Sequence, residues 1–208
     1  MTVIRPGAGE IIGDAPDRRV EILCEQDAVH ATWSRFGPRR DGADLHVHRH
    51  HSDLFYVLDG ELTVRLGLED RAVPAPAGTL VRVPPMVVHG FRNASDADVL
   101  YLNFHMPGTG FADYMRGLRD GLRVPFDQED PPPDGIRPAS EVAIGAPSDP
   151  IEVVTVEHGL DIELGYVLDG ELAIDGQRAP AGSWIENGHA ATGAARVLLV
   201  TARPSASR

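Results

Sequence analysis

His46, His48, Asp53 and His89 are the side chains in this sequence best placed to do chemistry together. His46 and His48 stand two apart in a stretch that reads as a strand, which puts both imidazoles on one face. Asp53 opens the next strand-like run, and His89 follows beyond a bend and a turn, where a folded-back sheet can return it to the same pocket. Three imidazoles and one carboxylate are a suitable donor set for a divalent transition metal. A bare His-x-His is weak on its own, because such pairs often decorate a polar surface and a lone later histidine often serves the core through a hydrogen bond. The surroundings of the pair therefore carry the argument. His50 and His51 point to opposite faces if the strand persists, His50 toward the pocket and His51 toward solvent; both also read as polar loop residues.

The elements that must position these groups show an internal repeat. YVLDGEL occurs at residues 56–62 and again at 166–172, each copy upstream of an Ala-Gly turn, at Ala77-Gly78 and Ala181-Gly182. The repeated unit reads as strand, Asp-Gly turn, strand, with Asp59-Gly60 as a tight hairpin turn. Further strands are expected in RVEIL and HATWSRF, and at about 45–49, 53–59, 61–67, 79–83, 87–93 and 98–105. Many short strands with Gly and Pro punctuation make the chain all-β, a sandwich or jelly roll. FADYMRGLRDG, residues 111–121, is the one short helix, with Phe111, Met115 and Leu118 at helical spacing and Gly121 as terminator. The acidic, proline-rich DQEDPPPDG at 127–135 reads as a linker.

Strand patterning resumes at 151–156, 162–168, 172–174, 183–185 and 197–201. These roughly sixty residues are few for an independent closed barrel, so the N-terminal segment, including residues 3–12, is expected to supply strands to them. The division expected is a first domain over 14–124 carrying the metal site, a linker over 125–140, and a second unit over 141–203, completed by 1–13. The tail ARPSASR is expected to fray.

HVHRHHSDLFYVLDG, residues 46–60, and GTLVRVPPMVVHGFRN, residues 78–93, resemble the two successive motifs of the cupin superfamily. In the first, His46 and His48 match the histidine pair, Asp53 the acidic position and Gly60 the turn. In the second, Gly78, Pro84, His89 and Asn93 fit, while Met86 stands where a glycine is usual. The resemblance implies a double-stranded β-helix, or jelly roll, holding one divalent transition metal (Fe, Mn, Ni, Cu or Zn) on His46, His48, Asp53 and His89. Asp53 replaces the commoner glutamate and is one methylene shorter, so it reaches the metal through a small backbone adjustment or acts through water. In the second unit, aligning Asp169-Gly170 with Asp59-Gly60 sets His158 against His48, Glu163 against Asp53, Val156 against His46 and Gly193 against His89. His189 could reach inward only across a shortened loop. This pattern resembles a bicupin with a degenerate C-terminal half.

Resemblance to quercetin-dioxygenase-like cupins implies a dioxygenase-like oxidoreductase acting on a small aromatic or enolic substrate, with Asp53 also able to accept a substrate proton. The rival readings are a metal-dependent isomerase, cyclase or lyase, and a small-molecule-binding cupin without turnover. Phe55, Val57 and Phe91 share the parity of the ligands and predict a mostly apolar pocket, with Trp33, Arg35, Tyr101 and His105 as further walls or polar handles. The formal charge of −12 argues against a nucleic-acid partner and leaves a small or neutral organic molecule as the easier fit. Cys24 is the single cysteine, so neither an intrachain disulfide nor a Cys-rich zinc site can form. No apolar run reaches membrane-spanning length, and the expected setting is cytoplasmic. Open sheet edges, and the habit of the family resembled, lead to an expected homodimer.

Overall fold

A computed structural model describes residues 1–202. The tail expected to fray lies, from residue 203 on, outside the described residues. The backbone divides into two units: Ile11–Ala146, and Met1–Glu10 together with the chain from Pro147.

Strand β1 (Thr2–Ile4) belongs to the smaller unit. The larger unit is built from β2 (Glu10–Ala15), β3 (Arg18–Gln26), β4 (Val29–Phe36), β5 (Ser52–Asp59), β6 (Glu61–Leu66), β7 (Arg71–Pro76), β8 (Leu80–Val83), β9 (His89–Arg92) and β10 (Val99–Met106), then helix α1 (Phe111–Asp120) and β11 (Ala143–Gly145). Seven strands form one sheet in the order β11-β8-β5-β10-β4-β3-β2, and three form a second, β7-β6-β9. This is the jelly roll expected from the strand pattern. Its core gathers inward residues of both sheets, among them Phe55, Val57, Leu62, Val64, Val81 and Tyr101. Each large apolar side chain removed from water there contributes about 1.5–3 kcal/mol.

The Asp-Gly dipeptide of the repeat is not a hairpin. β5 pairs with β8 and β10, whereas β6 pairs with β7 and β9, so the chain at Asp59-Gly60 leaves one sheet and enters the other. Gly60 takes φ 74°, and a Cβ there would stand 2.6 Å from the Asp98 carbonyl oxygen. The Ala-Gly turn then docks onto this bend: Ala77 N–H donates to Gly60 O (3.0 Å) and Gly78 N–H to Val57 O (2.8 Å). The two halves of the repeat recur together because they are hydrogen-bonded to each other.

Two further expectations are corrected. Residues 45–49 are extended but form no strand of a sheet; His46 bridges to His89 and Val47 to Glu129. The segment read as a linker packs onto the larger unit: Glu129 exchanges two backbone hydrogen bonds with Val47 (2.9 and 3.1 Å), and Arg137 N–H donates to Met86 O (2.7 Å). Its proline content hid this pairing. β7 also escaped the sequence, since Pro74 and Pro76 lack N–H groups; it is an edge strand paired with β6 alone.

The smaller unit contains β12 (Ile151–Val156), β13 (Leu160–Ile174), β14 (Gln177–Pro180), β15 (Trp184–Ala191) and β16 (Ala195–Val200). Its sheet runs β1-β15-β13-β16-β12, with β14 on the far part of β13. Here the strand passes through Asp169-Gly170 unbroken, but the clamp is the same: Ala181 N–H donates to Gly170 O (2.9 Å) and Gly182 N–H to Val167 O (2.8 Å). Thr2–Ile4 supplies the edge strand against β15, while β2 stays with the larger unit.

Candidate metal centre

His46, His48, Asp53 and His89 lie together inside the larger unit, each offering one ligand atom within 4.8 Å of the others. All four are at most 4% exposed. His46 and His89 are brought face to face by reciprocal backbone bonds, His46 N–H to His89 O (2.9 Å) and His89 N–H to His46 O (3.0 Å). Asp53 is delivered by β5, whose partner residue on β10 is His105.

Backbone carbonyls fix the tautomer of every imidazole. Nδ1 of His46 donates to Asp44 O (2.6 Å), that of His89 to Val87 O (2.9 Å), and that of His48 to Asp127 O. A carbonyl only accepts, so each Nδ1 carries the proton and each Nε2 of a neutral ring is a bare lone pair. Those lone pairs converge: the Nε2 atoms of His46 and His48 are 3.2 Å apart, and His89 Nε2 is 3.3 Å from Asp53 Oδ2. Burial first, then the neighbouring His89 and His48, push His46 down to about 3, so protonation of that ring does not relieve the crowding. Acceptors facing acceptors in a dry site fit a shared cation, and a carbonyl on the far ring nitrogen is the usual support of a metal-bound histidine. The residues present therefore fit a divalent metal.

Asp53 reaches this cluster directly despite its short side chain. Its Oδ2 faces His89 and lies 3.8 Å from His48 Nε2, while Asn103 Nδ2 donates to Oδ1 and to the Leu54 carbonyl (3.1 Å).

Sequence parity misplaced the two following histidines. The chain bends at Arg49 and His50, so alternation fails there. His50 is exposed, and His51 is buried, stacked on His48 at 4.0 Å between ring centroids. Asp127 organises this bend: its carboxylate accepts from the Arg49 and His50 N–H groups (both 2.8 Å) and from His51 Nδ1 (2.9 Å). His51 Nε2 in turn accepts from His105 Nδ1 (2.8 Å). Asp127 is the residue sequence reasoning missed, because it sits in the stretch read as linker.

A cavity of ≈ 250 Å³ opens beside the cluster, lined by His46, His48 and Asp53 at one side. Phe36, Phe91, Tyr101 and, from helix α1, Phe111 and Met115 supply apolar surface. Phe55 and Val57 lie in the core behind this wall instead of lining it, whereas Thr32, Ser34 and Asn103 make part of it polar. Trp33 and Arg35 alternate with these inward residues and do not line the cavity, Arg35 pairing with Asp98 at 3.3 Å. In the smaller unit His158, Glu163 and His189 are exposed, and among its described residues no comparable group of donors gathers.

The larger unit is thus a jelly roll with three imidazoles and a carboxylate converging in its interior, a donor set that could hold a metal ion. Residues 32–105 match the family model described as the cupin domain, so the larger unit carries a cupin domain. Over 120 residues, 57% of this chain, the sequence is 28% identical to quercetin 2,3-dioxygenase of Bacillus subtilis (strain 168). That match spans 34% of the relative's length. Among solved structures, the chain is similar to protein YlbA from Escherichia coli (14% identity, TM-score 0.63, covering 99% of this chain and 92% of that one). It is similar also to the bacterial pirin YhhW of Escherichia coli, solved in complex with nickel(II) (13% identity, TM-score 0.61, 98% and 99% covered). At these identities the structural likeness establishes the fold.

Proposed function

We propose that the chain is a metal-dependent dioxygenase-like oxidoreductase acting on a small aromatic or enolic substrate. One observation carries the reading: three tautomer-locked Nε2 lone pairs and one carboxylate oxygen converge beside a substrate-sized cavity. The similarity to a quercetin 2,3-dioxygenase supports the oxidative class over isomerase, cyclase or lyase chemistry and over a binder without turnover.

In this proposal His46, His48, His89 and Asp53 would hold one divalent transition metal, which would supply a Lewis-acid and redox centre. The protein's own contribution is positional and acid–base. The backbone carbonyls of Asp44, Val87 and Asp127 hold the imidazoles in one tautomer. Asn103 steadies Oδ1 of Asp53 and leaves Oδ2 turned to the histidines, from where, by leaving the metal, it would accept the proton of a substrate hydroxyl. Helix α1 covers the cavity with Phe111, Tyr114 and Met115, which excludes water and presents aromatic surface to a planar substrate.

The smaller unit completes the proposal as a degenerate second cupin, on the strength of the shared repeat and clamp. A homodimer is supported by the open edges at β2, β11 and β12, and a cytoplasmic setting by the absence of disulfide chemistry. No helix among the described residues is long and apolar enough to cross a membrane.

Elemental analysis of protein purified without chelator tests the site. About one iron, manganese, nickel, copper or zinc per chain is expected, and its loss in His48→Ala. Oxygen uptake with hydroxylated aromatic substrates then separates the oxidative reading from its rivals. A chain that holds no metal, and takes up none when it is offered, would sink the metalloenzyme.

A further inference from the structure

The inner face of the large sheet carries the chemistry in rows. Asp53 and His105 are register partners at one end; next come Asn103 and Thr32, then Tyr101 and Ser34, and finally Phe36 with Arg18. All of these side chains line the one cavity, so the metal cluster and Arg18 occupy opposite ends of it.

Arg18 is set apart from the other arginines of this unit by being both withdrawn from solvent and unpaired; Arg71, Arg82, Arg92 and Arg123 are exposed. Arg19, Arg35, Arg39, Arg40, Arg49 and Arg65 are each paired with a carboxylate. Arg18 is half-buried and lines the cavity, and its side chain makes no hydrogen bond or ion pair with the described residues. A guanidinium withdrawn from water without a partner is costly, and it is retained where a ligand supplies the missing acceptor. The neighbouring Arg40 has its charge engaged by Asp17 at 2.7 Å, yet its Nε is buried without an acceptor. Two unmet guanidinium donors therefore border the same end of the pocket. Of the acids near that end, Asp17 is engaged by Arg40 and Asp41 is exposed to solvent.

We propose that Arg18 is an anion-binding, specificity-determining residue, and that the substrate is an organic acid whose carboxylate lies at the end of the cavity away from the metal cluster. The inference rests on reading the cavity as the substrate pocket. It replaces the neutral molecule favoured by net charge: −12 repels an anion at long range, but a fork of N–H donors at contact decides selectivity. Phe36, Phe91 and Tyr101 supply the apolar wall between the two ends, so an aryl group joined to a short acidic chain matches the lining.

The test uses 3-phenylpropanoate and its uncharged counterpart 3-phenylpropanamide, titrated calorimetrically into the full chain, both metal-stripped and metal-loaded. The carboxylate is expected to bind about tenfold more tightly than the amide in both forms, a ratio within reach of one charge-assisted hydrogen-bonded contact. Arg18→Met should bring the two ligands within about twofold of each other, and Arg18→Lys should keep part of the preference. Circular dichroism and metal content matching the parent show that the variants are folded. Equal affinities in the parent chain, a preference that survives in Arg18→Met, or no binding of either probe at millimolar concentration would each overturn the proposal. Failure of the chain to load metal while the carboxylate preference persists removes the metalloenzyme reading and leaves the anion site standing.

Discussion

Met86 takes φ 64°, in the left-handed region where a side chain is strained, at the position where the resembled motif has glycine. It is held there from both sides, its N–H donating to His48 O (2.7 Å) and its carbonyl accepting from Arg137 N–H. The turn is thus required by the site, and the residue occupying it is not the one that fits best. A left-handed non-glycine residue costs about 1–2 kcal/mol, offset in part by the roughly 0.5–1 kcal/mol that a glycine loses in chain entropy. Met86→Gly is expected to stabilise the chain by about 0.5–1 kcal/mol in urea denaturation, with metal content unchanged. At this scale the gathering of His46, His48, Asp53 and His89 was legible in the sequence, because donor type and spacing are local properties. The burial of His51 and the role of Asp127 were not. Both depend on a bend at Arg49-His50 that is closed by a carboxylate nearly eighty positions away, and no periodicity reports such a partner.

Among the elements, the repeat shows what a short motif can and cannot say. YVLDGEL falls once in each of the two β-units, yet an Asp-Gly between two apolar runs reads as a hairpin when, at Asp59-Gly60, it is a change of sheet. Local sequence sets the backbone angle and leaves open which strands will be partners. Gly60 and Gly78 separate the two demands placed on glycine here. Both have positive φ, 74° and 85°, but a Cβ at Gly60 meets the Asp98 carbonyl at 2.6 Å, while at Gly78 it meets nothing within 4 Å. Gly78→Ala should cost only the conformational strain, about 1 kcal/mol. Gly60→Ala should cost about 2–4 kcal/mol, since the backbone of the β10 approach must also move. Equal losses for the two variants in chemical denaturation would show that the close approach is not what selects Gly60.

The molecule as a whole carries a cluster of buried, neutral histidines in one of its two units. Burial, as the first cause in each, holds His30 at about 4, His46 at about 3 and His51 at about 4. In the unfolded chain these groups take up protons near 6.5, whereas the folded chain refuses them until the lower values are reached. Between those limits the unfolded state binds more protons, so stability falls as pH drops through 6.5 and continues to fall toward about 4. At about pH 5 the loss is on the order of 2 kcal/mol per histidine. Urea denaturation of metal-free protein at about pH 7.5 and about pH 5 checks this.

The anchoring of His48 by Asp127 also fixes how short a working version of this cupin can be. A chain ended at residue 124, where composition suggests the domain closes, would lose the carbonyl that sets the His48 tautomer and the carboxylate that closes the Arg49-His50 bend. It would lose as well the Glu129 and Arg137 backbone bonds to Val47 and Met86. Such a truncation is expected to bind metal at least tenfold more weakly than one ended at residue 146, by isothermal titration. The shortest chain that keeps the histidine cluster supported runs on through a stretch that looks, residue by residue, like packing material between two parcels.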